Sequence, residues 1–528
     1  MSRIRTRITA GILSAGLLLG CAACGHTDPE LNTPPMATVP ATPPATTIPE
    51  TTPPPTSPLP SEAQPLPTLP LPEETRPIPT LPLPEETQPI PTLPLPEENT
   101  TNMDFIENSI ISPDLPNLVA APTYPFQPKC PDPTDYQNQN DLYYAQLIWK
   151  NQLHQQEITS PDNVRDLDAF MKSAMTQFLS GSGNQVCSPM NMYFALAMLA
   201  ETAGGSSRQQ ILDILGHRSI ESLRTQAKQL WQAHYFDNGE TTSLMANSLW
   251  LDENYDFYKS TLNTLATDYF ASVFYGDLGS SNINRQLATW LDTQTGGLLS
   301  DYTKNIQLDP ATVFCLASTT YFSADWNHTF SKSATTKDVF HCDGYDLSTD
   351  FMHKTFNEHN YYYDPTFSAV SLSLAAGHSM WLILPDEGYT PSDLIKQGNY
   401  YQMISDPSSW AGKGYYKLIL SVPKFDISAD QDLVSGLMSM GVTDVFTSNA
   451  NFSPITNAPV FVGKVSHAAR VSIDEEGVIA AAYTLVSLPG AAAPRENEEV
   501  YFTLDRPFLF VITGSDGLPL FSGVVSNP

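Results

Sequence analysis

Asp474-Glu-Glu-Gly-Val-Ile-Ala-Ala-Ala-Tyr-Thr-Leu-Val-Ser-Leu-Pro-Gly-Ala-Ala-Ala493 opens with three acids and a glycine and then carries no charge until Arg495. Surface loops are polar and rich in turn residues. This run instead reads as a strand that can be buried, ending in a short flexible tail. One parity, Val478, Ala480, Ala482, Thr484, Val486 and Leu488, can face a core. The other, Ile479, Ala481, Tyr483, Leu485 and Ser487, is equally free of charge, so a sheet could accept the whole segment without burying an unpaired ion. Gly477 would be its hinge.

The flanks are Gly463-Lys-Val-Ser-His-Ala-Ala-Arg-Val-Ser-Ile-Asp474 and Tyr501-Phe-Thr-Leu-Asp-Arg-Pro-Phe-Leu-Phe-Val-Ile512. Together with the opening stretch they resemble the C-terminal signature of the serpins. Four upstream runs resemble serpin segments in the family's order: Asn184-Gln-Val-Cys-Ser-Pro-Met-Asn-Met-Tyr-Phe-Ala-Leu-Ala-Met-Leu199, Ala324-Asp-Trp-Asn-His-Thr-Phe330, Trp381-Leu-Ile-Leu-Pro-Asp-Glu387 and Val422-Pro-Lys-Phe-Asp-Ile427. The resemblance covers residues 161 to 528 and implies a single α+β domain with three sheets, eight or nine helices and an exposed reactive-centre loop.

It also implies a mechanism. A serine protease attacks the loop and forms an acyl-enzyme. The freed N-terminal part of the loop then enters the central sheet and carries the protease with it. The hinge would comprise Glu475, Glu476, Gly477, Val478, Ile479, Ala480, Ala481 and Ala482; from Val478 to Ala482 it holds neither proline nor charge. Counting from Gly477 puts the reactive bond at Ala491-Ala492, which suits elastase-like or subtilisin-like enzymes; counting back from Pro507 points near Arg495, which suits trypsin-like ones. Beneath the opening sheet the family pattern places Ser188, Asn191, Ser318 and His467, the shutter residues. The family usually has serine where this chain has Asn191 and asparagine where it has Ser318, so an amide and a hydroxyl could have been exchanged across one buried network.

The rest of the chain is read from composition. Of 46 prolines, 24 fall between Pro29 and Pro96, where a 12-residue repeat begins at Pro65, Pro77 and Pro89. Proline at this density favours polyproline II and cannot donate ladder hydrogen bonds, so residues 21 to 100 read as a semi-rigid stalk. The competing reading is a ligand for proline-recognising domains. At the N-terminus, Arg3, Arg5 and Arg7 precede an apolar run, Ile8 to Leu19, too short to span a membrane. Residues 1 to 20 thus read as an export signal. Leu18-Leu-Gly-Cys21 resembles the bacterial lipoprotein box, with Cys21 the lipidated residue; simple cleavage near Ala23 is the alternative. Residues 101 to 160 form an extension to which the sequence assigns no function.

The formal net charge of −30 disfavours nucleic acid, for no basic stripe exists to neutralise phosphates. Gly-x-Ser-x-Gly, His-Glu-x-x-His, phosphate-loop and dinucleotide motifs are missing, so an enzyme is not expected, and no cofactor or metal is implied. His353 and His359 read as surface or polar-core residues, and Cys187 and Cys315 as buried free thiols. The expected protein is a lipid-anchored, exported monomer whose partner is an extracellular serine protease held covalently. The alternative is a non-inhibitory serpin-fold protein for binding or display.

Overall fold

The computed structural model describes residues 13–23, 118–124, 131, 135–136, 138–156, 161–237, 241–477 and 498–528. Met1–Gly25 and Asn108–Pro528 belong to one compact unit. Among the described residues the strands form two hydrogen-bonded sheets.

The central, eight-stranded sheet runs β13 (Phe425–Asp432), β14 (Val460–Ile473), β1 (Leu13–Ala23), β7 (Thr312–Ala324), β5 (Thr241–Asp252), β6 (Ala271–Gly276) and β2 (Leu118–Ala120), with β4 (Phe236–Asp237) paired to β5. The second, nine-stranded sheet runs β15 (Glu499–Thr503), β12 (Lys413–Pro423), β9 (Tyr345–Asp364), β10 (Phe367–Ser373), β11 (Ser379–Pro385), β16 (Phe508–Thr513), β17 (Pro519–Val525) and β3 (Gln185–Cys187), with β8 (Thr336–Cys342) on β9. The 20-residue β9 pairs with β12 through Tyr362 and with β10 from Tyr362 onward. It thereby joins by hydrogen bonds what the resemblance counts as the second and third sheets.

The helices are α1 (Gln139–Gln156), α2 (Pro161–Phe178), α3 (Pro189–Thr202), α4 (Gly205–Ile214), α5 (Ile220–His234), α6 (Lys259–Asp268), α7 (Ser281–Gln294), α8 (Ser300–Thr303), α9 (Pro391–Gln397), α10 (Asn399–Ser405) and α11 (Val434–Ser439). Setting aside α1, which precedes the expected domain, and the single-turn α8, nine remain. The mixed order makes the domain α+β.

Helix α3 organises the core. Ser188 is its N-cap, accepting the Asn191 N–H, and Pro189 fills the first turn, where its missing N–H costs nothing. All 14 residues of α3 are buried, as its unbroken apolar run predicts. It lies between the sheets, against β7 and β17. Helix α7 covers the opposite face of the central sheet, where Ile283, Leu287, Trp290 and Leu291 pack with Trp250, Cys315 and Ala317.

In two places the local sequence pattern suggests something other than what forms. Ser206-Ser-Arg-Gln209 forms no capping box; Gly204 is the N-cap of α4 without a side-chain bond, and the Ser207 hydroxyl instead accepts the Asn451 N–H at 3.0 Å. The strand-like run from Tyr501 to Thr513 is two strands, β15 and β16, in different parts of the sheet, because Pro507 cannot continue a ladder. The extension of residues 101–160, to which the sequence assigns no function, contributes β2 as an edge of the central sheet, the helix α1, and Tyr124, which stacks on Trp231 and Tyr235 at 5.4 Å each. The 11-residue β1, in the stretch read as an export signal, is a strand that the sequence did not suggest.

Candidate functional site

Strand β14 ends in a fixed corner. Beyond Ile473, Asp474 and Gly477 form a bridge, and Gly477 adopts φ +86°. A Cβ at Gly477 would stand 2.2 Å from the Trp326 amide nitrogen, so both the backbone angle and the close approach require glycine here. The Trp326 indole N–H donates to the Asp474 carbonyl at 2.9 Å, and the Phe330 N–H donates to the Glu475 carbonyl at 2.8 Å. Glu475 is buried, and its carboxylate accepts from Lys424 Nζ at 2.9 Å and from the Thr335 hydroxyl at 2.8 Å. Burial is the largest single influence and would raise the Glu475 carboxyl, but these two bonds, a backbone N–H and the Lys424 charge together outweigh it and hold the group below its ordinary range. Glu476 pairs with Lys332.

Sequence reasoning named Glu475, Glu476 and Gly477 but not the residues that grip them. The signal was present. Trp326 and Phe330 lie in one quoted run, Ala324 to Phe330, and Lys424 in another, Val422 to Ile427; the fold brings both runs to this corner. Val478, Ile479, Ala480, Ala481, Ala482, Ala491 and Ala492 lie outside the described residues.

A second polar group lies midway along the sheet. The Ser188 N–H donates to His467 Nε2 at 3.1 Å, which places the proton of a neutral ring on Nδ1. The Ser188 hydroxyl donates to the Leu520 carbonyl at 2.7 Å, and Asn191 Nδ2 donates to Ser318 Oγ at 2.9 Å. All four side chains are buried. They tie the start of α3 to β7, β14 and β17. The structure thus brings together all four residues singled out from sequence, with the Asn191 amide and the Ser318 hydroxyl in direct contact.

Between β7 and β14 lies a strand position. Among the described residues these two strands do not pair with each other; β1 lies antiparallel to both, with Leu17 opposite Ser318 on one side and His467 on the other. Leu18 is buried beneath α7. Cys21, expected to carry lipid, falls at an irregularity in this pairing.

Other candidates have local roles. His353 lies between Thr336 and Ser421, and His359 Nε2 meets the Ser371 carbonyl at 3.0 Å, with burial lowering its basicity. Among the described residues no cluster of histidine, cysteine and carboxylate could hold a metal. Cys187 and Cys315 are free and buried, and burial pushes both thiols well above their ordinary range.

Comparisons with known proteins agree with this architecture. The family model Serpin (serine protease inhibitor) matches residues 167–528. Serpin-ZX of Arabidopsis thaliana is 26% identical over 371 residues, covering 66% of this chain and 93% of its own. Corticosteroid-binding globulin of Oryctolagus cuniculus is 28% identical over 356 residues, covering 65% and 89%. Among solved structures, the thermophilic serpin tengpin in its native state is 26% identical with a TM-score of 0.60, covering 70% of this chain and 95% of its own. A glycine corner gripped by Trp326, Phe330 and Lys424, a buried polar cluster beneath the central sheet and a strand position between β7 and β14 thus sit within a family match that spans more than half of the sequence: the chain belongs to the serpins, a family typically of protease inhibitors rather than catalysts.

Proposed function

We propose that this chain irreversibly inhibits extracellular serine proteases by inserting its cleaved loop into the central sheet. One observation carries the reading: β7 and β14 accommodate a further antiparallel strand between them, beside the corner from which the loop departs. The protease serine hydroxyl attacks the Ala491 carbonyl, forms an ester there and releases the Ala492 amine. The segment from Val478 then enters the sheet. Its 14 residues to Ala491 span about 45 Å at ~3.3 Å each. Ladder hydrogen bonds and apolar burial favour insertion, because the uninserted loop leaves both to water. Small side chains at Ala480 to Ala482 enter without first opening large gaps.

Alanine at the reactive bond suits a small primary pocket, so the targets are elastase-like or subtilisin-like. Lipid on Cys21 and the proline-rich stalk would hold the inhibitor at the outer face of a cell membrane. The test is incubation with elastase-type and trypsin-type proteases. An elastase-type complex that survives boiling in detergent is expected. A released C-terminal fragment beginning at Glu496 would move the bait to Arg495.

The second reading, a non-inhibitory binding or display protein, is favoured by Tyr483, which is bulkier than the small residue usual there, and by the similarity to corticosteroid-binding globulin. It predicts loop cleavage without a complex.

A further inference from the structure

We propose that Leu13–Ala23 and the loop beyond Gly477 compete for one strand position, so that the leader holds the unprocessed chain shut and its removal arms the trap; this rests on the strand-insertion reading above. Two segments of this chain share an unusual composition. Ile8 to Ala23 and Gly477 to Pro494 are both uncharged and rich in alanine and glycine. Either can be buried on both faces of a sheet without an unpaired ion.

The register puts them in the same place. Continuing the Asp474–Gly477 pairing as an antiparallel hairpin brings Ala481 opposite Arg470, Thr484 opposite His467 and Leu485 opposite Ser466. Those three places are held by Ser14, Leu17 and Leu18. The alternate leader positions Leu13, Ala15, Leu17 and Leu19 therefore coincide with Ala480, Ala482, Thr484 and Val486. Leu13–Ala23 runs antiparallel to β14, as the hairpin continuation beyond Gly477 would, and β7 and β14 leave room for one strand.

The leader also has a kinetic advantage. The uncut loop is tied at both ends, to β14 through Gly477 and to β15 at Glu499, so full insertion requires either a cut or the release of the edge strand β15. The leader is not held by β15. The strand is regular from Leu13 to Gly20, whereas its register slips between Gly20 and Cys21 against β14 and between Cys21 and Ala22 against β7. Cleavage before Cys21 would thus remove the regular part and leave only Cys21, Ala22 and Ala23.

Leu17→Pro in the full chain tests this. Leu17 pairs on both sides, and proline in a central strand removes a ladder donor and is not accommodated. The full chain and the variant are each nicked in the loop with a trace of elastase-type protease, and thermal midpoints are measured before and after. The full chain should keep its midpoint on nicking, because the position is taken. Leu17→Pro should begin lower and rise on nicking. Amide exchange at residues 13–20 should be slow in the full chain and fast in the variant. Fast exchange there in the full chain, or an equal rise in both on nicking, overturns the proposal. Should exchange and nicking behave as expected while no form captures a protease, the competition stands and the inhibitor reading falls.

Discussion

Exchanging the partners of the buried pair Asn191–Ser318 measures what holds α3 beneath the central sheet. In Ser318→Ala, Asn191 Nδ2 loses its acceptor while fully buried, which costs roughly 1–3 kcal/mol. In Asn191→Ser the shorter side chain cannot span the 2.9 Å contact from its helix, so the Ser318 hydroxyl is stranded and a small void is left, for roughly 2 kcal/mol. The double change Asn191→Ser/Ser318→Asn rebuilds one amide–hydroxyl bond from the opposite side. It should cost less than Asn191→Ser alone, giving a coupling of about 1–2 kcal/mol. Urea unfolding provides the assay, with the midpoint shifting at constant slope. Effects that add to within about 0.5 kcal/mol would show that the two positions vary independently.

Gly477→Ala should destabilise by roughly 2–3 kcal/mol, since a left-handed angle costs alanine about 1–2 and the new Cβ must displace the Trp326 backbone; an unchanged melting point would show that the corner yields freely. His378 is buried, and its basicity is lowered by that burial to about 4. As pH falls below about 6.5 the unfolded chain binds a proton that the folded one refuses, so roughly 3 kcal/mol should be lost between about 6.5 and 4 and no more below. His378→Gln should remove that part of the slope in denaturation at successive pH values. Val478→Arg should be cut at the wild-type bond yet release active protease, because the entering strand would bury an unpaired charge at roughly several kcal/mol; one-to-one capture by this variant would eliminate strand insertion as the mechanism.

Elements whose signal is local were legible. Ser188-Pro189 and the apolar run behind it announce α3 from chemistry alone. Within β14, Lys464, His467 and Arg470 break the alternation that marks a strand; His467 is buried with its Nε2 accepting the Ser188 N–H, whereas Arg470 is half-exposed and pairs with the Asp426 carboxylate at 2.6 Å. The spacing of Ser206 and Gln209 misleads at the start of α4 because the helix already begins at Gly205 and Ser206 serves the distant Asp444 carboxylate. At the site, the resemblance selected Asn191 and Ser318, whereas composition could not. The Glu475–Lys424 pair spans 51 positions and has no periodicity to reveal it. The strand fate of Leu13–Ala23 was hidden because an uncharged run of leucine, glycine and alanine suits an export signal and a buried strand equally well.

Strand β17 lies between β16 and β3, has all seven residues buried, and supplies the Leu520 carbonyl to Ser188. Asn184 clasps the end of the same strand, donating to the Asn527 carbonyl and accepting the Ser526 and Asn527 N–H groups. The polar cluster under the central sheet is therefore incomplete until residues near position 525 are in place. A growing polypeptide can form its helices as they appear, but it has no means of closing around Ser188 until Leu520, 332 positions later, has been made. Assembly order is thus the reverse of reading order at this point, and a chain cut short before Leu520 should collapse without locking.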